Sequence, residues 1–88
     1  MENDVIWEAE LIIGWFDHGL ISLDDMDDLP PFHEAREKKH RFYLAKGGFY
    51  DARRWKNSEI MYENGKRVIE LFNWLESNGY VKERRPYS

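Results

Sequence analysis

Gly65-Lys66-Arg67-Val68-Ile69-Glu70-Leu71-Phe72-Asn73-Trp74-Leu75-Glu76-Ser77-Asn78-Gly79 is the stretch that decides the fold. Val68, Leu71, Phe72 and Leu75 recur at i, i+3, i+4 and i+7, the spacing that gathers apolar side chains on one face of a helix. Asn78-Gly79 supplies the C-terminal stop after Ser77. Just upstream, Asn64-Gly65 would signal a hairpin in isolation. The helical period starts directly after it, so a turn between two helices is expected there instead. Residues 49–55 and 59–62 fit either two strands of a hairpin or a loop followed by a short helix capped by Ser58.

Towards the N-terminus, Val5, Ala9, Ile12 and Phe16 repeat at helical spacing, with Ile6 and Ile13 widening the stripe. Asn3 suits an N-cap, Asp4 suits the positive end of the helix dipole, and Gly19 stands where the C-terminal cap belongs. Trp7 and Trp15 fall beside the stripe, so this helix over residues 3–18 is apolar around much of its circumference. Ser22 is a candidate cap for one short turn burying Leu23, Met26 and Leu29, stopped by Pro30-Pro31. Pro31 can open the next helix, over residues 32–46, and Gly47-Gly48 is expected to end it. The apolar residues of that third piece cluster at its ends, which leaves its inward face undefined.

These elements predict a mainly α chain with a minor β element: one small helical bundle, a single domain over residues 1–88. Four Trp, five Tyr and five Phe supply the apolar surface that a chain without cysteine must bury. The absence of cysteine also excludes disulfide scaffolds, thiol catalysis and cysteine-ligated zinc. The longest apolar run, Leu11-Ile12-Ile13, is too short to span a bilayer, and the acidic N-terminus is unlike a targeting signal. A soluble cytoplasmic protein is expected, without membrane partners.

The formal charge of −4 conceals a strong asymmetry. Residues 1–35 carry ten carboxylates and no Lys or Arg, a net −10, whereas residues 36–88 carry all thirteen bases and seven carboxylates, a net +6. In the basic half, Arg53-Arg54-Trp55-Lys56 interleaves cations with an indole, the combination that neutralises phosphate and stacks on bases. Lys82, Arg84 and Arg85 add a second cluster.

The segment from Ser58-Glu59-Ile60 through Gly65 to Leu75-Glu76-Ser77-Asn78-Gly79-Tyr80-Val81 resembles the winged helix-turn-helix family over about residues 58–84. The resemblance implies a C-terminal partial winged helix-turn-helix, with residues 66–77 as the helix that enters the major groove. Lys66 and Arg67 would then meet phosphate or guanine, and Asn73 would read adenine. Room remains after Gly79 for one wing strand, which needs an earlier segment as its partner.

Other constellations have simpler explanations. His33, Glu37 and His40 lie at i, i+4 and i+7 and could face one metal ion, but Lys38, Lys39 and Arg41 beside them oppose a dication, so no metal or other cofactor is expected. Asp24-Asp25-Met26-Asp27-Asp28 lacks the alternation, glycine and glutamate of a calcium loop. No nucleophile motif and no phosphate-cradling glycine loop is present, so no enzymatic activity is expected. Two non-enzymatic roles follow. The first is a small regulator that binds nucleic acid through the basic half. The second is an inhibitor or adaptor that docks on a basic protein through Glu8, Glu10, Asp17, Asp24, Asp25, Asp27 and Asp28, a surface able to imitate a row of phosphates. Pairing of the −10 and +6 halves between subunits, giving a homodimer, is compatible with either.

Overall fold

The computed structural model describes residues 2–83. Three helices and a two-stranded sheet follow one another as α1 (Glu2–Asp17), β1 (Ile21–Leu23), α2 (Glu34–Arg54), α3 (Ser58–Ser77) and β2 (Val81–Glu83). The chain is thus mainly helical with a minor antiparallel sheet, as its periodicities imply. None of the described helices is long and apolar enough to cross a membrane.

Both α1 and α3 end in the same way. Gly19 and Gly79 adopt φ of +71° and +80°, a conformation open to glycine at little cost. The glycine N–H donates to the carbonyl three residues back (Phe16, Glu76). The next N–H, of Leu20 or Tyr80, donates to the carbonyl five residues back (Trp15, Leu75). Each cap releases the chain into a strand, and the two strands pair antiparallel with Ile21 opposite Glu83 and Leu23 opposite Val81. The strand that follows Gly79 therefore finds its partner in residues 21–23. Ser22 sits within that strand rather than capping a turn, although Met26 downstream is buried.

Several boundaries differ from those expected. α1 begins before Asn3, which is a residue of the helix rather than its cap. α2 starts at Glu34, because Pro30 to His33 first close a turn (His33 N–H to Pro30 carbonyl, 2.9 Å). His33 then caps the helix through Nδ1, which accepts the Ala35 N–H at 3.1 Å. α2 also runs through Gly47-Gly48 to Arg54, and residues 49–62 form no hairpin. Its buried side chains, Ala35, Phe42, Ala45, Phe49 and Ala52, alternate small and large at three- and four-residue steps. Lys38 occupies the one slot in that series that interrupts the apolar pattern.

The expected turn at Asn64-Gly65 is absent, and α3 is continuous from Ser58 to Ser77. The reversal lies earlier, at residues 55–57, and Asn57 rather than Ser58 caps α3 by accepting the Ile60 N–H at 3.1 Å. The segment resembling a winged helix-turn-helix thus holds one long helix and one strand, and residues 66–77 are the second part of α3.

The glycines that suggested breaks are instead where helices approach closely. A Cβ on Gly65 would lie 3.3 Å from Ala9 Cβ on α1 and 3.5 Å from the Phe49 ring on α2. A Cβ on Gly48 would lie 2.7 Å from Asn64 Oδ1 on α3. The fully buried Phe42, Phe49, Ile13, Met26, Leu75 and Val68 form the core. Phe16 joins the helices by its ring contacts with Phe42 (5.0 Å) and, edge-on, Phe72 (6.2 Å).

Not every helical glycine or cap is needed. Gly47 faces open space, so Gly47→Ala is expected to stabilise the fold by about 0.5–1 kcal/mol through helix propensity. Lys56 closes α2 at a φ of 55°, so Lys56→Gly is expected to gain up to about 1 kcal/mol. Gly65→Leu overfills the crossing and is expected to cost about 1–3 kcal/mol or more. Thermal melts followed by circular dichroism read all three.

Candidate functional site

α3 separates two grooves of opposite charge. Between α2 and α3 lies a groove of about 600 Å³ lined by Lys38, Arg41, Leu44, Ala45, Asn64, Arg67, Glu70, Leu71 and Trp74. Between α1 and α3 lies one of about 510 Å³ lined by Asp4, Trp7, Glu8, Leu11, Ile12, Trp15, Phe72, Asn73 and Glu76. The first has three cations against one carboxylate, and the second has three carboxylates and no cation.

The acidic groove follows from a second stripe on α1. Trp7, Leu11 and Trp15 stand at i, i+4 and i+8, offset from the core stripe, and Asp4 and Glu8 bracket Trp7 on the same side. Trp15 is anchored against Phe72 at 6.3 Å. Trp7 is not anchored: 64% of it is exposed, with Leu11 partly exposed one turn on. Among the described residues Asp4, Glu8 and Glu76 form no ion pair. An exposed indole ringed by uncompensated carboxylates leaves both apolar area and charge for an incoming group.

The basic groove is partly satisfied from within. Arg41 Nη2 is 2.6 Å from Glu37 Oε1. Lys38 Nζ sits 5.6 Å from the centre of the Trp74 ring, and that ring lies parallel to Tyr80 at 6.1 Å. Leu44, 62% exposed, and Leu71 give the groove an apolar side.

The residues expected to hold nucleic acid are dispersed. Arg53 and Arg54 close α2, with Arg53 over the Tyr50 ring at 5.1 Å, and Trp55 is 78% exposed in the turn that follows. Lys66 lies over Tyr62 at 5.4 Å, and only Arg67 lines the basic groove. Asn73 falls on the acidic side of α3. Lys82 lies in β2, which follows the C-terminal end of α3, a helix about 30 Å long, and pairs with Asp24 at 3.1 Å. Arg84 and Arg85 lie outside the described residues.

The expected acidic surface also divides. Glu8 alone lines the groove, while Glu10 is exposed outside it. Asp24 is held by Lys82, and the Asp25 carboxylate accepts the Asp27 N–H at 2.9 Å, which lowers its pKa. Asp27 and Asp28 are exposed in the following turn. Asp17 serves the fold. It accepts a hydrogen bond from the Tyr50 hydroxyl and lies 3.5 Å from Lys46 Nζ. That ammonium is within 5.7–5.9 Å of the Phe16, Tyr43 and Tyr50 rings. The cluster ties the end of α1 to α2. Among the described residues no three His, Asp or Glu come together as a metal-ion set: His33 caps α2 and Glu37 holds Arg41.

No protein family, curated protein or solved structure matches the chain.

Burial, followed by the hydrogen bond to Asp17 and its negative charge, pushes the Tyr50 phenol from 10.0 up to about 12. The folded state therefore holds this proton after the unfolded chain has released it. Stability from this group is complete below pH 10 and is expected to decline as pH rises towards 12. Ultraviolet titration of the tyrosinates should show one late phase that Asp17→Asn moves to lower pH.

Proposed function

We propose that the chain is a small non-enzymatic adaptor or inhibitor that docks on a basic protein through the acidic α1–α3 groove. The observation that carries this is Trp7, exposed between Asp4 and Glu8, with no ion pair to either carboxylate among the described residues. Buried tryptophans dominate the energetics of protein interfaces, and surrounding charges select and orient the partner. A segment with apolar side chains on one face and Lys or Arg on its edges is the complement: the apolar face covers Trp7 and Leu11 while the cations meet Asp4, Glu8 and Glu76.

A synthetic amphipathic Lys/Leu peptide titrated against the protein, with tryptophan fluorescence as the signal, tests this. Trp7→Ala is expected to weaken binding by at least about 2 kcal/mol, roughly thirtyfold. Asp4→Lys with Glu8→Lys should remove the salt-sensitive part. Reversing Asp24, Asp25, Asp27 and Asp28 should leave the affinity within about threefold, since exposed charges away from a contact contribute little. Equal affinity of wild type and Trp7→Ala would overturn the proposal.

Nucleic acid is the second partner class, favoured by the grouping of Lys38, Arg41 and Arg67 around Trp74. Counterion release makes such binding strongest at low salt. Anisotropy of labelled duplex DNA that stays unchanged at low salt excludes it, and binding that Arg41→Glu with Arg67→Glu abolishes supports it.

A further inference from the structure

We infer that the basic α2–α3 groove receives the acidic edge of α1 from a second copy of the chain. This rests on the preceding proposal that the α1 edge carrying Trp7 is a docking element, and it names one partner for it. The two grooves are opposite in charge, and each carries exposed apolar surface. One presents Lys38, Arg41 and Arg67 beside exposed Leu44 and half-buried Leu71. The other presents two carboxylates one helical turn apart with an exposed indole between them. An indole seated against Leu44 and Leu71 would lose the exposure it has in the isolated chain, and its flanking carboxylates would meet Arg41 and Arg67.

A folded acidic edge suits this groove better than a polyanion does. Glu70 lines it, and Glu37 already engages Arg41. An unbroken row of phosphates would be pressed against both carboxylates, whereas an edge with two isolated charges can avoid them. Trp74 already has the Lys38 ammonium 5.6 Å from its ring centre and lies parallel to Tyr80, so a stacking base would compete with groups of the chain itself.

The placement of the grooves also sets the mode of assembly. They occupy opposite flanks of α3, with the exposed Glu63, Lys66 and Glu70 on the ridge between. Seating both grooves at once about a two-fold axis requires the axis to run along α3, which would set each ridge charge against its own copy. The contact therefore propagates head to tail, one groove per neighbour.

Sedimentation equilibrium of the full chain at low salt should give a mass that rises with concentration beyond a dimer and falls back to the monomer at high salt. Two variants then separate the faces, each changing exposed side chains only. Asp4→Asn with Glu8→Gln removes the donor edge, and Arg41→Gln with Arg67→Gln removes the receiving groove. Each alone should be monomeric, and their mixture should form a one-to-one dimer that grows no further, because each then retains a single working face. A wild type that stays monomeric at low salt, or a mixture that does not associate, would sink the inference. If that monomer still binds the Lys/Leu peptide, the acidic-groove proposal survives and only the second copy is removed. If it binds neither, both fall. A monomer whose Arg41 and Arg67 bind duplex DNA assigns the groove to nucleic acid instead.

Discussion

The structure depends on one close approach, where Gly65 of α3 meets Ala9 of α1 and Phe49 of α2. No side chain projects from α3 at that point, so backbone and small side chains can meet where three helices converge. Gly48 plays the matching part on α2 by admitting Asn64. The cost is two glycines within helices, each unfavourable by about 0.5–1 kcal/mol relative to alanine. The gain is close contact of the helices at the crossing, with Ala9, Phe49 and Val68 fully buried. The long α3 also owes its central position to this contact, and with it the separation of the two grooves.

That separation converts a charge asymmetry along the chain into one across a helix. The described carboxylates of residues 4–34 do not form a single acidic face. Asp17 and Asp24 are spent on Lys46, Tyr50 and Lys82, and Asp25 orders a turn, which leaves Asp4 and Glu8, joined by Glu76 of α3, as the charges around Trp7. The basic residues divide likewise. Several lie over aromatic rings of their own chain, and three meet at the α2–α3 groove.

Periodicity made α1, the C-terminal part of α3 and the glycine caps at Gly19 and Gly79 legible, because amphipathic spacing and left-handed caps are local properties. It does not distinguish a glycine that breaks a helix from one that admits a neighbour. Gly47-Gly48 and Asn64-Gly65 look like breaks from their neighbours alone, and only the helices packed against them show that Gly48 and Gly65 admit close contacts. The inward face of α2 was present in the sequence as Ala35, Phe42, Ala45, Phe49 and Ala52, but three alanines and an intervening Lys38 hid it from a count of large apolar residues. The candidate site was visible only in part. Glu8 stands out by its charge and Arg67 and Asn73 by the winged helix-turn-helix resemblance, whereas Trp7, Leu11 and Trp15 carry an i, i+4, i+8 signal that their overlap with the core stripe obscures.

By itself the sequence determined a mainly helical single domain without cysteine chemistry, a −10 and +6 division of charge, and the glycine stops that end α1 and α3. These follow from composition and from interactions within a few residues of each other. Only the tertiary structure decided that β1 and β2 pair, that α2 and α3 continue through their glycines, and which charges remain uncompensated. The reason is that a carboxylate's availability depends on the cation that folding brings to it. Lys46 and Lys82 reach Asp17 and Asp24 across 29 and 58 residues of chain, and no such partner reaches Asp4 or Glu8 among the described residues.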